Sequence, residues 1–337
     1  MECLRTPDAR FEDLPGWDYA PYYTQIPDGE GGELRIHHVD EGPRDGAIVL
    51  CMHGQPSWSY LYRHMIADCV TRGFRVIAPD LVGYGRSDKP SRREDYSYQR
   101  QVDWLTAWLV KNDLSGLTFF GQDWGGLIGL RLVVENPERF DRVVAANTGL
   151  PVPDASMSDE RLVAVQDFRA NAPTPSFADV AKGISSADPR RPEAAFAVWQ
   201  KWCWETEDLP ASTVVAAMVD GRVLTPEEIA AYDAPFPSSA FKMGPRAMPS
   251  HVPTLRGDPS TSANESAWEA FEAWNKPFLC TFSDNDPVTA GADQGFIRRV
   301  PGASGRSHPR LEGGGHFLQE GRARELSKRV AEFIDET

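Results

Sequence analysis

Apolar residues come in short unbroken runs along most of the chain, separated by stretches in which they recur every three or four positions. Ala47-Ile48-Val49-Leu50-Cys51-Met52 is such a run, of the kind that forms a strand buried on both faces, and it ends in His53-Gly54. Leu61, Met65 and Cys69 then repeat at helical spacing. Phe74-Arg75-Val76-Ile77-Ala78 reads as the next strand, closed by Pro79-Asp80. The alternation continues with Val102, Leu105 and Leu109 on a helix over 99–111, and a strand at Leu117-Thr118-Phe119-Phe120. A helix over 127–135 is stopped by Asn136-Pro137, and Val143-Val144-Ala145-Ala146 is a fourth strand. Strand and helix in this rhythm predict an α/β fold with a mostly parallel sheet and helices on both faces.

After Leu150 the pattern changes. Pro, Ser, Asp and Ala become frequent, strands disappear, and short helices are predicted over 194–205 and 226–232. The strand rhythm resumes at Pro277-Phe278-Leu279-Cys280-Thr281-Phe282 and Pro309-Arg310-Leu311, and an amphipathic helix over 322–334 closes the chain. The expected organisation is therefore a first core part over 1–153, an inserted helical cap over 154–231, and a second core part over 232–337. One interrupted core accounts for all 337 residues.

Composition narrows the function classes. With 49 Asp and Glu against 35 Lys and Arg the formal charge is −14, which repels phosphate backbones and anionic lipid, so neither nucleic acid nor a membrane surface is an expected partner. No apolar run is long enough for a membrane span, and Met1 to Pro7 lacks the apolar stretch of a signal peptide. Five cysteines, odd in number, scattered and never in a C-x-x-C pair, suit a reducing cytoplasm and no zinc site. His37 and His38 are adjacent in a strand and point to opposite faces, so they form no metal pair.

The chemistry concentrates after the strands. Gly121-Gln122-Asp123-Trp124-Gly125-Gly126 lies between a strand and a helix, with the spacing of the G-x-S-x-G nucleophile elbow and Asp in place of Ser. The glycines leave room for a turn so tight that it lifts its middle residue above the sheet. In α/β-hydrolase chain order an acid and then a histidine follow, each after a late strand. Asp284 and Asp286 compete for the first position, and His316, preceded by Gly313-Gly314-Gly315, takes the second. The loop His53-Gly54-Gln55-Pro56 stands where such hydrolases donate one backbone N–H to an oxyanion hole. The amides of Gln55 and Trp124 are thus the expected donors, with His53 structural.

An aspartate nucleophile is already an anion and displaces a leaving group from saturated carbon unaided; histidine is needed only to activate water against the resulting ester. Halide and epoxide oxygen are the two leaving groups that fit. An alkoxide calls for acidic hydroxyls such as tyrosines, and the cap over 154–231 has none. It has Trp199, Trp202 and Trp204, and Trp124 adjoins the nucleophile; an indole N–H is a donor suited to a halide.

These residues resemble the haloalkane dehalogenases, in the subfamily with an Asp-His-Asp triad and two halide-binding tryptophans. The resemblance rests on His53-Gly54-Gln55-Pro56-Ser57-Trp58, Ala78-Pro79-Asp80, Gly85-Arg86-Ser87-Asp88-Lys89-Pro90, the elbow, Asp233-Ala234-Pro235-Phe236-Pro237 and Gly315-His316-Phe317-Leu318-Gln319-Glu320. It fades over 154–191. It implies that Asp286, in Asp286-Pro287-Val288-Thr289, is the acid, and that Asn147 stands where a sister subfamily carries its own. It implies further that Trp199, in Phe196-Ala197-Val198-Trp199, is the second halide donor beside Trp124, and that Leu127, Phe196, Phe236, Pro237 and Val288 line an apolar pocket. The implied reaction converts a small neutral apolar haloalkane and water to alcohol, chloride or bromide, and a proton, without metal or organic cofactor; a monomer is expected. An epoxide hydrolase with the same triad and a ligand-binding protein of this fold are the competing readings. Gln55 departs from the subfamily, which has Glu there; its amide still serves the hole, but its side chain cannot repeat a carboxylate's interactions with water.

Overall fold

The computed structural model describes residues 1–185 and 192–337. Its strands are β1 (Cys3–Leu4), β2 (Tyr22–Pro27), β3 (Glu33–Glu41), β4 (Ile48–Met52), β5 (Arg75–Pro79), β6 (Lys89–Pro90), β7 (Leu117–Gln122), β8 (Phe140–Ala146) and β9 (Phe278–Cys280). The pair β1 and β6 forms a small ribbon, and the other strands form one sheet in the order β2-β3-β5-β4-β7-β8-β9. From β5 to β9 the neighbours run parallel, while β2 and β3 are an antiparallel hairpin at one edge. This is the α/β-hydrolase arrangement.

Helices α1 (Arg63–Thr71), α2 (Tyr98–Lys111) and α3 (Asp123–Glu135) connect the parallel strands. Between β8 and β9 come α4 (Asp159–Asn171), α5 (Phe177–Ser185), α6 (Pro192–Glu205), α7 (Ala211–Met218), α8 (Pro226–Asp233), α9 (Met243–Ala247) and α10 (Thr261–Glu272). The chain then closes with α11 (Asp293–Arg299) and α12 (Leu318–Asp335). Because side chains alternate along a strand, each apolar run feeds two layers at once. Val49, Cys51, Val76, Phe120 and Val144 pack with Met65 and Cys69 of α1 and Leu326 and Val330 of α12. Leu50, Met52, Ile77, Phe119 and Val143 pack with Val102 and Leu105 of α2 and Ile128 and Leu132 of α3. Every one of these strand residues is essentially unexposed.

The structure departs from the periodicity in several places. Helix α3 begins at Asp123, four residues earlier than the apolar pattern suggests, because the elbow itself enters the helix. Leu61 sits in a short 3-10 turn, Ser59–Tyr62, ahead of α1. The strand expected at Pro309-Arg310-Leu311 is reduced to one bridge between Ser283 and Leu311. Pro309 has no N–H to donate, and the Cys280 amide is bonded to the His308 ring at 3.1 Å instead of to a neighbouring strand. Between β8 and β9, helices α4, α5 and α7 add to the two that the sequence pointed to over 154–231. No helix among the described residues is long and apolar enough to cross a membrane.

Candidate active site

The elbow at the end of β7 places Asp123 at φ +49°, a left-handed conformation that costs a non-glycine residue about 1–3 kcal/mol and persists only where the surroundings enforce it. They do so on both sides. A Cβ at Gly125 would stand 2.1 Å from the Met52 carbonyl oxygen, so only glycine lets α3 come this close to β4. The Asp123 amide donates to the Asn147 carbonyl at 2.9 Å, and the Thr148 hydroxyl donates to the Asp123 carbonyl at 2.8 Å. The Asp123 carboxylate is thereby held over the carboxyl end of the sheet. There its Oδ1 accepts the Gln55 backbone N–H at 2.7 Å. The Trp124 amide, at the second position of α3, belongs to the first turn, whose N–H groups lack intrahelical partners.

The other carboxylate oxygen, Oδ2, lies 3.4 Å from His316 Nε2. His316 is 3% exposed, on a loop whose backbone doubles back at Gly315. At φ +62°, and with the Met218 carbonyl 2.4 Å from where a Cβ would stand, Gly315 is the residue this loop requires. The His316 amide bonds that same carbonyl at 2.9 Å, tying the loop to α7. On its other side His316 Nδ1 bonds both oxygens of Asp286, at 3.0 and 3.1 Å. Asp286 is buried and accepts further bonds from the Val288 amide at 2.9 Å, the Thr289 amide and the Thr289 hydroxyl. Asp284 is exposed and spends its carboxylate on the Gly313 amide. Of the two aspartates left open by spacing, Asp286 is the one beside the ring.

Electrostatics follow the geometry. Burial by itself would lower the His316 pKa, but the carboxylates of Asp286 and Asp123 outweigh it and push the ring up to about 10. Burial likewise works to raise Asp286, yet the His316 ring, the Thr289 hydroxyl and the Val288 amide hold it below the usual carboxylate range.

A cavity of about 770 Å³ opens onto these groups. Asp123, His316, Gln55, Trp124, Leu127, Phe196, Trp199 and Val288 all line it. Phe236 and Pro237, expected in its wall, do not. Phe236 is buried in the core beside α8, and Pro237 is exposed. Arg10 bonds the carbonyls of Asp233 and Ala234, and the Thr6 hydroxyl that of Pro235, so this turn is fastened to the N-terminal segment away from the cavity. The three tryptophans of α6 separate as well: Trp202 is buried between Phe177 and Trp199, and Trp204 lies under the Arg93 guanidinium, leaving Trp199 at the wall. No tyrosine lines the cavity among the described residues.

Gln55 uses its side chain elsewhere, donating from Nε2 to the Pro245 carbonyl at 3.0 Å and accepting the Tyr84 hydroxyl at 3.1 Å. His53 is structural: its Nε2 accepts the Leu81 amide at 3.0 Å. Asn147 is a brace, its Nδ2 bonded to the Gly315 and His316 carbonyls and its Oδ1 to the Ser283 amide. Sequence reasoning missed the bracing role of Asn147 and the contacts of Gln122. The signal for Gln122 was available, as the polar end of an otherwise apolar strand.

The sequence profile of the α/β hydrolase fold matches residues 47–181. A haloalkane dehalogenase from Psychrobacter cryohalolentis is 43% identical over 336 residues, covering 99% of this chain and 98% of that protein. One from Mycolicibacterium paratuberculosis is 42% identical over 98% of this chain and 97% of its own length. Among solved structures, the tetrameric haloalkane dehalogenase DpaA from Paraglaciecola agarilytica superposes with a TM-score of 0.76 at 28% identity, covering 98% of both chains. With relatives this similar over their full length, the chain belongs to the haloalkane dehalogenases, hydrolases that act on carbon–halide bonds.

Proposed function

We propose that this chain hydrolyses neutral haloalkanes through an alkyl ester of Asp123, with the helical segment 154–231 as the cover of the site. The observation that carries this reading is the division of labour within one carboxylate: Oδ1 is held by the Gln55 amide at 2.7 Å, while Oδ2 faces His316 and the cavity. Oδ2 attacks the halogen-bearing carbon from behind, the carbon–oxygen bond forms as the carbon–halogen bond breaks, and halide leaves with the bonding electrons. The indole N–H groups of Trp124 and Trp199 solvate it.

Alkylation removes the negative charge of Asp123, one of the two charges that keep the His316 ring protonated in the free enzyme. The imidazole then becomes a competent base for water, with Asp286 orienting it and stabilising the imidazolium that forms. Water attacks the ester carbonyl carbon, the charge developing on Oδ1 falls to the Gln55 and Trp124 amides, and the alcohol departs. The balance is haloalkane plus water giving alcohol, halide and a proton. Every group in this scheme comes from one chain, so the chemistry calls for no second copy, although DpaA is a tetramer.

The cavity wall has Trp124 beside the nucleophile and no tyrosine among the described residues, which favours halide over epoxide oxygen as the leaving group. The route is read in a single turnover with enzyme in excess in ¹⁸O-water. The label is expected in the Asp123 carboxylate, with unlabelled alcohol released. Label in the alcohol and none in Asp123 would mean direct displacement by water.

A further inference from the structure

The residue preceding the nucleophile has no part in the scheme above, yet it touches the base. Gln122 ends β7, is fully buried, and points its amide at His316 from below. Its Nε2 lies 3.1 Å from the His316 carbonyl oxygen and 3.1 Å from His316 Nε2. The orientation of that amide is fixed by its surroundings: turned over, it would set Oε1 against the carbonyl oxygen at the same distance, two acceptors face to face. The Oε1 that results has no protein partner among the described residues, so the amide is placed by its donor end.

The two N–H groups of Gln122 are therefore spent on the His316 carbonyl and on Nε2. The second contact is a hydrogen bond only while Nε2 carries a lone pair. When Nε2 is protonated, the same N–H meets another N–H at 3.1 Å, and the contact turns unfavourable. The charged groups facing the ring are Asp286, from the loop after β9, and Asp123, at the start of α3. Asn147 after β8 and Met218 of α7 meet only the backbone of this loop and bring no charge. Both charges favour imidazolium, and Gln122 alone among these neighbours favours the neutral ring.

We propose that Gln122 is a positioning residue that selects the unprotonated Nε2 of His316 once Asp123 has been alkylated, setting the pH at which the ester begins to hydrolyse. While Asp123 is ionised, both carboxylates hold the imidazolium; after alkylation Gln122, together with burial, opposes Asp286 alone and holds the lone pair until water takes its place. The inference rests on the reading of His316 as the base of the second step.

The test is single-turnover decay of the alkyl-enzyme against pH, in wild type and in Gln122→Leu and Gln122→Met, with rates normalised to the halide burst that counts competent sites. The rising limb of the profile is expected to move up by about one pH unit in both variants, so that decay on the limb slows about tenfold and converges with wild type at high pH. A limb in the same place in wild type and both variants, with the burst intact, would overturn the role of Gln122. The absence of any limb in wild type would instead overturn His316 as the base. A uniform loss of rate at every pH would show that Gln122 is merely structural.

Discussion

At residue 55 the chain separates two jobs that one side chain could be asked to do. The Gln55 backbone N–H holds Asp123 Oδ1, while its amide side chain is committed to the Pro245 carbonyl and the Tyr84 hydroxyl. Gln55→Ala keeps the first and loses the second, leaving the buried Tyr84 hydroxyl without its acceptor at a cost of about 1–3 kcal/mol. Urea denaturation is expected to register that loss, while the first-turnover halide burst stays at about one per active site. A burst that disappears with the fold intact would mean that the side chain takes part in carbon–halogen cleavage.

The strands and helices place the candidate site residues by rules that the sequence already displays. Asp123 and Asp286 follow apolar runs and His316 follows three glycines, and all three come together at the carboxyl end of the sheet. What periodicity leaves out is contact between segments distant in the chain. The turn carrying Phe236 and Pro237 has the apolar character of a pocket wall, but Arg10 and Thr6, more than 200 residues away, hold it elsewhere. The second late strand, expected at Pro309-Arg310-Leu311, is lost to His308 and Pro309 for a similar reason. On α6 the spacing is more informative. Phe196 and Trp199, three residues apart, share the face that meets the cavity, and Trp202 is buried behind them. Chloride and bromide are therefore expected to quench tryptophan fluorescence saturably. Trp199→Phe and Trp124→Phe should each weaken halide binding by about 1–3 kcal/mol. If Trp202→Phe weakens it and Trp199→Phe does not, the assignment on α6 is wrong.

Over the whole molecule, helices distant in the chain are tied together by buried charge. Arg63 of α1, 1% exposed, bonds Glu320 of α12 at 2.5 and 2.9 Å and Glu228 of α8 at 2.9 Å, and Arg222 and Tyr232 join the same carboxylates. Burial works against ionised Glu228, but the Thr225 amide, Arg222 and Arg63 hold its carboxyl down at about 2. Asp28 is held at about 2 by the Met1 ammonium and the Glu30 amide, against the effect of burial. Depressed carboxyls add stability above their unfolded values and lose it as pH falls toward the folded ones. The urea midpoint is expected to hold between pH 7 and 5 and to fall between about pH 4.5 and 2. Arg63→Met, which takes the buried guanidinium from two carboxylates and leaves them to Arg222, Thr225 and Tyr232, should cost about 3 kcal/mol at neutral pH. A midpoint unchanged down to pH 3 would count against this network as a source of stability.

The two chemical steps come apart in His316→Phe. A carboxylate attacks saturated carbon without a base, so this variant should form the ester on Asp123 and then stop, since only the second step uses the imidazole. Intact-protein mass spectrometry after exposure to a bromoalkane is expected to show one alkyl group per chain, mapped to the peptide containing Asp123, together with about one bromide released per active site. Asp123→Ala should show neither. Continued turnover in His316→Phe, or an adduct on any residue other than Asp123, would contradict the account at its centre.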